Sequence, residues 1–181
     1  SKKSIHIDGN DGEHVQNITY EDWEEIGRDI NNNTHLRELY LDGALNSYHE
    51  QESHGHKMAA LFRGLTMSSS IRKVSLGEND FDIGGIWSMV PFLKNATTLT
   101  NLSVSRNNIG SEGFYALFRT LSDSPIEEIY CSFCGIESIE IDDGHIPNNL
   151  RELWLNGNRI NADGCRELAK LLQGGGEATL K

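Results

Sequence analysis

Two cysteines three residues apart are the first candidates for chemistry in this 181-residue chain. Cys131 and Cys134 form a C-x-x-C pair, the spacing of redox dithiols and of half a zinc site. A dithiol of the thioredoxin kind would open a helix after a strand, and the sequence has no second C-x-x-C or suitably spaced histidine pair to complete four zinc ligands. Both cysteines also fall on apolar or inward positions of a repeated pattern. We interpret them as core residues, with a redox or zinc role as the alternative.

Three histidines form a second cluster, at His49, His54 and His56, with two glutamates between them. Imidazole and carboxylate groups together suit zinc or copper, and histidine titrates close to neutral pH. The segment has neither a helical nor a strand period that would bring these side chains together. We therefore predict a solvated loop insertion at 46–55 and no cofactor. A metal- or pH-responsive site at the three histidines is the alternative hypothesis.

The remaining patterns do not indicate catalysis. The sequence contains no phosphate-cradling glycine loop, no nucleophile elbow and no paired-carboxylate site, so we predict that the protein is not an enzyme. The 16 Lys and Arg residues against 27 Asp and Glu give a net charge of −11. That charge disfavours nucleic acid as a partner and favours a protein with a basic surface.

The compartment is predicted from cysteines and hydropathy. No apolar run reaches the roughly 18 residues of a membrane span, and no targeting segment is visible. An odd number of cysteines favours a reducing compartment, so we expect the protein to be cytoplasmic. We also expect it to be a monomer. Four Asn-x-Ser/Thr triplets keep secretion open as an alternative, at Asn17, Asn32, Asn95 and Asn101.

Five copies of one six-residue pattern dominate the chain, and their starting residues are separated by 35, 28, 27 and 24 positions. Each copy has apolar residues at its first, fourth and sixth positions, and the last two alternate as in a strand. Between copies the apolar residues recur with helical spacing, as in 109–121 and 160–172. The copies cover residues 36–41, 71–76, 99–104, 126–131 and 150–155, and the tail of a sixth lies at 5–7.

An asparagine follows three of these copies at a constant distance. Asn79, Asn107 and Asn158 each stand three residues after the sixth position. An asparagine turned inwards there can satisfy buried backbone groups of neighbouring turns, and its loss would leave partners unpaired at a cost of about 1–3 kcal/mol.

The complete pattern, L-x-x-L-x-L-x-x-N-x-L, resembles the leucine-rich repeat, and the helical stretch of each unit is similar to the ribonuclease-inhibitor-like subclass. The resemblance implies an α/β right-handed solenoid, or horseshoe, of about five to six repeats, with parallel strands on the concave face and helices on the convex face. It also implies one repeat domain over 1–181, and the uncapped ends predict that it is part of a longer array. The roles it implies include enzyme inhibition, immune sensing, actin capping and GTPase activation, the last on fold analogy alone.

Three repeats depart from the pattern. The first complete copy has Ala44 in place of asparagine, which predicts an interrupted hydrogen-bond ladder. The second carries Pro91 in its helical stretch, which predicts that the helix ends or kinks there. The fourth has Cys134 in place of asparagine and Pro147 in place of a proper helix, which predicts a different outer face.

The third, fifth, seventh and eighth positions of each copy are predicted to face solvent on the concave side. Several are large aromatic residues, and we expect Tyr130 and Trp154 to lie about 5 Å apart as strand neighbours. We predict that the face binds a protein partner; the alternative is that the rings only stabilise the sheet. The predicted binding residues are Tyr40, Asp42, Lys73, Glu78, Asn101, Arg106, Glu128, Tyr130, Phe133, Glu152, Trp154 and Asn156.

Overall fold

The computed structural model describes residues 3–7, 18–45, 55–142, 145–173 and 179–180. Within these ranges, short strands alternate with helices along the chain. The strands are β1 (Ser4–His6), β2 (Glu38–Tyr40), β3 (Lys73–Ser75), β4 (Asn101–Ser103), β5 (Glu128–Tyr130), β6 (Glu152–Trp154) and β7 (Thr179–Leu180). The helices are α1 (Tyr20–Asn31), α2 (His56–Gly64), α3 (Ile83–Asn95), α4 (Gly110–Thr120) and α5 (Ala162–Gln173).

The strands form one parallel sheet in chain order, from β1 to β7. The pairing register places equivalent positions of successive repeats side by side: Leu39 pairs with Val74, Val74 with Leu102, and Leu102 with Ile129. A right-handed crossover through a helix joins parallel strands of this kind. The predicted α/β solenoid with a strand layer and a helix layer is confirmed.

The core lies between the two layers and runs the length of the sheet. Residues at the first, fourth and sixth positions of each copy are buried, as Leu99, Leu102 and Val104 illustrate. The helices contribute most of the largest buried side chains, among them Trp23 and Phe92. The alternating phase assumed for the strands is therefore confirmed.

The inward asparagines tie each repeat to its neighbour. Asn79 accepts a hydrogen bond from the backbone N–H of Leu45 (2.8 Å) and donates to the carbonyl oxygen of Leu41 (2.8 Å). Ala44, which replaces the asparagine in the first complete repeat, is buried. Asn79 of the second repeat connects the two repeats through its hydrogen bond with the N–H of Leu45. At the fourth copy the Cys134 thiol replaces the amide and donates to the carbonyl oxygen of Val104 (Sγ–O 3.3 Å).

Pro91 does not end its helix. Helix α3 continues from Ile83 through Pro91 to Asn95. Pro91 is exposed on the surface of this helix. The Asn95 side-chain amide donates to the carbonyl oxygens of Pro91 (2.8 Å) and Thr66 (3.2 Å), which closes the last turn. Of the two expectations for Pro91, an end of the helix was wrong, and a kink stays a prediction.

The fourth repeat has a different outer face, as predicted. Among its described residues there is no helix between β5 and β6. Residues 136–142 instead run as an extended segment between α4 and α5. The backbone N–H groups of Glu137 and Ser138 donate to the Ser111 hydroxyl (3.0 and 2.9 Å), and the carbonyl oxygen of Glu137 accepts from the N–H of Asn161 (2.8 Å). None of the helices in the described ranges is long and apolar enough to cross a bilayer.

Candidate functional site

Two aromatic rings stack on the concave side of the sheet. Tyr130 in β5 pairs in register with Trp154 in β6, and their ring centroids lie 5.6 Å apart with an interplanar angle of 21°. Both rings are half-buried, whereas the preceding residues of the two strands, Ile129 and Leu153, are fully buried in the core. The stacked rings, called the aromatic pair below, therefore lie on the face that points away from the helices.

The polar group of each ring is hydrogen-bonded to the carboxylate of the glutamate two residues earlier on the same strand. The Tyr130 hydroxyl donates to Oε2 of Glu128 (2.7 Å), and Nε1 of Trp154 donates to Oε2 of Glu152 (2.9 Å). Asn101 on β4 also donates to Oε2 of Glu128 through its side-chain amide. Because these bonds hold the side chains in place, the rings and carboxylates form a preorganised surface.

The two carboxylates also perturb the phenol beside them. Burial raises the pKa of Tyr130 to about 12, and the Glu128 hydrogen bond and the negative charges of Glu128 and Glu152 add to the effect. The phenol therefore keeps its proton at neutral pH and remains a hydrogen-bond donor. Glu128 and Glu152 thus place two carboxylates beside the aromatic pair.

A second aromatic group lies towards the other end of the concave side. The rings of His6 on β1 and Tyr40 on β2 stack with centroids 4.3 Å apart, and Nζ of Lys73 on β3 lies 5.3 Å from the Tyr40 centroid. Between this group and Tyr130, the equivalent positions in β3 and β4 are serines, Ser75 and Ser103. The concave face thus has a polar centre between two aromatic regions.

Asp42 has a structural contact on this face. Its Oδ1 accepts hydrogen bonds from the Ser75 hydroxyl (2.7 Å) and from the backbone N–H of Gly77 (2.7 Å). Asp42 therefore connects its repeat to the next one. Of the other predicted residues, Asn156 is exposed in the turn that follows β6.

The eighth positions form a row of left-handed backbone conformations. Glu78, Arg106 and Phe133 have φ values of 59°, 58° and 56°, and the equivalent Gly43 and Gly157 have 69° and 72°. Residues other than glycine, asparagine and aspartate rarely adopt this conformation. Sequence reasoning missed the strain, although the glycines at two of the five equivalent positions were a signal for it.

The side chains of this row interact with each other. The Arg106 guanidinium lies 4.9 Å from the centroid of the Phe133 ring, and its Nε lies 3.5 Å from a carboxylate oxygen of Glu78. A Cβ atom on Gly157 would lie 2.3 Å from the Phe133 ring, so the ring rests against the glycine. Phe133 is nevertheless 54% exposed. These three predicted binding residues thus lie together in the turns that follow β3, β4 and β5.

The C-x-x-C cysteines are buried, in agreement with their interpretation as core residues. Both Cys131 and Cys134 have 0% exposed surface. A hydrogen bond with Cys134, together with burial, raises the pKa of Cys131 well above its usual range. A thiol of this kind is a poor nucleophile at neutral pH, because the thiolate is the reactive species.

The predicted histidine cluster lies largely outside the described residues, which include only His56. Its ring makes an edge-on contact with Tyr20, with centroids 6.0 Å apart. In the described ranges, no group of three or more His, Cys, Asp or Glu side chains is arranged to hold a metal ion. The hypothesis of a metal- or pH-responsive loop stays a prediction.

Comparisons with known proteins agree with this geometry. A family model described as Leucine Rich repeat matches residues 95–118 and 147–169. No curated protein matches the chain in sequence. Among solved structures, the C-terminal domain of tropomodulin from Caenorhabditis elegans is similar, with a TM-score of 0.50 and 18% identity over 64% of this chain and 65% of that one. At that identity the likeness concerns the fold. The chain therefore contains leucine-rich repeats and folds as an open α/β solenoid.

Proposed function

We propose that this chain is a non-catalytic module that binds a partner protein through its concave strand face. The observation that carries the proposal is the aromatic pair, Tyr130 and Trp154, stacked on that face with a carboxylate hydrogen-bonded to each ring. Tyr and Trp are the side chains that most often dominate binding energy in protein interfaces. Rings that hydrogen bonds already hold in place lose little conformational entropy when a partner binds.

The charge of the face favours a basic partner. Glu128 and Glu152 lie opposite each other in neighbouring strands, in a chain of net charge −11. Like charges in directly opposed positions repel each other, and a cationic group of a partner would relieve that repulsion. A surface that presents Lys or Arg therefore fits better than nucleic acid.

The repeat subclass and the compartment complete the proposal. Helices of 9 to 13 residues follow most strands in the described ranges, which supports the ribonuclease-inhibitor-like subclass. All three cysteines are free thiols, which supports a reducing compartment such as the cytoplasm. We propose that the module works there as a monomer.

The test is affinity capture from native extract with the wild-type chain and with the variants Tyr130→Ala and Trp154→Ala. We expect each variant to weaken capture of the partner by about thirtyfold, which corresponds to about 2 kcal/mol. Met67→Ala is the matched control, because Met67 is a large exposed side chain between α2 and β3 and is not on the sheet. Circular dichroism checks that all variants stay folded. Equal capture by wild type and both concave variants would instead mean that the rings only stabilise the sheet.

The GTPase-activating alternative rests on fold analogy and stays a prediction. A GTP turnover assay with small GTPases tests it, and an accelerated rate is the expected result if it holds.

A further inference from the structure

A groove on the convex side offers a second surface, independent of the concave face. It has a volume of about 780 Å³ and runs along α4, with α3 on one side and the extended segment of the fourth repeat on the other. We call it the convex groove and define it by Ile83, Trp87 and Lys94 of α3 and Glu112, Tyr115 and Arg119 of α4. It exists because the fourth repeat has no helix to cover the outer flank of α4.

Two aromatic side chains occupy equivalent positions in the two helices. Trp87 and Tyr115 are 28 residues apart, which is also the separation of the strand copies that begin at Ile71 and Leu99. Neighbouring helices lie about 8–10 Å apart, so the two side chains border one groove. Trp87 is 57% exposed, an unusual exposure for the largest apolar side chain.

The Tyr115 wall of the groove is fixed by contacts with the extended segment. The Tyr115 hydroxyl donates to Oδ2 of Asp142 (2.8 Å), and that hydrogen bond raises the pKa of Tyr115. His145 lies 3.6 Å from the same carboxylate oxygen. The groove is therefore a formed feature of the fold. Its apolar surface comes from Ile83, Trp87 and Val90 of α3 and Ala116 of α4, and polar side chains such as Ser138 and Glu140 line the rest.

Charges at the two ends of the groove have opposite signs. Glu112 lies in the first turn of α4, and Lys94 and Arg119 lie in the last turns of α3 and α4. All three side chains are exposed, and none of them forms an ion pair with another described residue. Since the helices follow parallel strands in the same way, they run parallel, with the acidic end of the groove at their N-termini and the basic end at their C-termini.

The length of the groove suits one helix. From Ile83 to Lys94 the groove extends over three turns of α3, or about 16 Å. A helix usually carries acidic residues in its first turn and basic residues in its last. Laid antiparallel to α3 and α4, such a helix would place its acidic turn at Lys94 and Arg119 and its basic turn at Glu112.

We propose that the convex groove binds an amphipathic α-helix of a partner protein, antiparallel to α3 and α4, with its apolar stripe against Trp87 and Tyr115. Recognition of this kind inserts side chains at helical spacing into an apolar groove. The charges at the two ends set the direction of the helix.

A pair of synthetic peptides tests the proposal on the whole chain. The first has about 18 residues, with leucines along one helical face, glutamates in the first turn and lysines in the last. The second exchanges the glutamates and lysines. We expect the first peptide to bind about fivefold more tightly in isothermal titration calorimetry, because its charges complement the groove. Equal affinity for both peptides, or no binding of the first, would overturn the proposal.

Variants locate the binding. Trp87→Ala should weaken binding of the first peptide by about tenfold, since it removes the main apolar contact. Met67→Ala is the matched control, because Met67 is 52% exposed and outside the groove. The double variant Lys94→Glu with Arg119→Glu should remove the preference for the first peptide or reverse it. An unchanged preference would contradict the proposed direction. Trp154→Ala should leave peptide affinity unchanged, so this result is independent of the concave face.

Discussion

Single amide side chains connect whole repeats of this protein. Oδ1 of Asn107 accepts hydrogen bonds from the backbone N–H groups of Asn79 (3.0 Å) and Phe81 (3.3 Å). Its Nδ2 donates to the carbonyl oxygens of Leu76 (2.9 Å) and Val104 (2.8 Å). With 3% of its surface exposed, Asn107 supplies partners to backbone groups that water does not reach. One side chain therefore satisfies the turns of two repeats.

Replacement of this amide should destabilise the chain more than its size suggests. We expect Asn107→Ala to lower the free energy of unfolding by about 3 kcal/mol, since several buried backbone groups lose their partners. The measurement is the urea midpoint at constant slope. Asn108→Ala is the matched control, because Asn108 is exposed, and a change within about 0.5 kcal/mol is expected there. Similar losses of stability in both variants would mean that the hydrogen bonds of Asn107 do not stabilise the repeats.

The phenol of Tyr130 should lose its proton at a higher pH than an ordinary tyrosine. Its pKa in the folded chain is about 12, above its ordinary value of 10, so folding favours the protonated form. The stability that this group contributes is present in full below pH 10 and is lost as the pH rises through about 12. Ultraviolet titration of the phenolate in wild type and Tyr130→Phe isolates this group. Glu128→Gln should lower the pKa of Tyr130, and an unchanged value would show that the carboxylate has no effect on the phenol.

Helices α1 and α2 pack backbone against backbone through two glycines. A Cβ atom on Gly27 would lie 2.1 Å from the carbonyl oxygen of Leu61, and one on Gly64 would lie 2.1 Å from the carbonyl oxygen of Glu24. Neither distance leaves room for a methyl group. Because the atoms in contact belong to helix backbones, a whole helix would have to shift to make room. The glycines therefore allow the close approach of these two helices at the expense of helix propensity.

Addition of a methyl group at this contact should force the two helices apart. We expect Gly64→Ala to lower the free energy of unfolding by about 3 kcal/mol, in the upper range for overpacked interiors. Gly84→Ala at the start of α3 is the control, because its Cβ would meet only the end of the Asp82 side chain (3.0 Å). Thermal unfolding followed by circular dichroism gives both values. A loss for Gly64→Ala no larger than that for Gly84→Ala would argue against backbone contact.

The molecule as a whole has a core that continues from repeat to repeat. Leu102 is fully buried in β4, and its strand neighbours in register are Val74 and Ile129. In a solenoid each unit buries its apolar face against the next, so the stability of one repeat depends on its neighbours. A destabilising substitution in a central strand should therefore lower the stability of both ends of the solenoid.

A cavity in the central strand tests this coupling. We expect Leu102→Ala to lower the free energy of unfolding by about 3–4 kcal/mol through lost burial and the cavity left behind. Tryptophan fluorescence can follow the two ends separately: Trp87→Phe with Trp154→Phe retains buried Trp23 in α1, and Trp23→Phe with Trp87→Phe retains Trp154 in β6. Both reporters should show the same shift in urea midpoint. A shift seen by only one of them would mean that the two ends unfold separately.

The repeated pattern was enough to predict the strand positions, the inward asparagines and the outward placement of Tyr130 and Trp154, and its resemblance to the leucine-rich repeat implied that the strands are parallel. These features are local and periodic: the alternation of a strand decides which side chains point inwards, and repeats of similar design stack in register. The burial of Cys131 and Cys134 followed from the same periodicity. The absence of a proper helix in the fourth repeat followed from its short spacing and Pro147.

Contacts between elements could not be derived in that way, because they depend on distances between segments that no local pattern encodes. The continuation of α3 through Pro91 is accompanied by a contact with the preceding repeat, where the Asn95 amide donates to the carbonyl oxygen of Thr66. The contact between Gly27 and Gly64 depends on how closely two helices approach. The left-handed row at Glu78, Arg106 and Phe133 depends on the path of each turn between stacked repeats, and the convex groove depends on what covers α4. Periodicity assigns a residue to a face, whereas packing of the folded chain determines which side chains meet there.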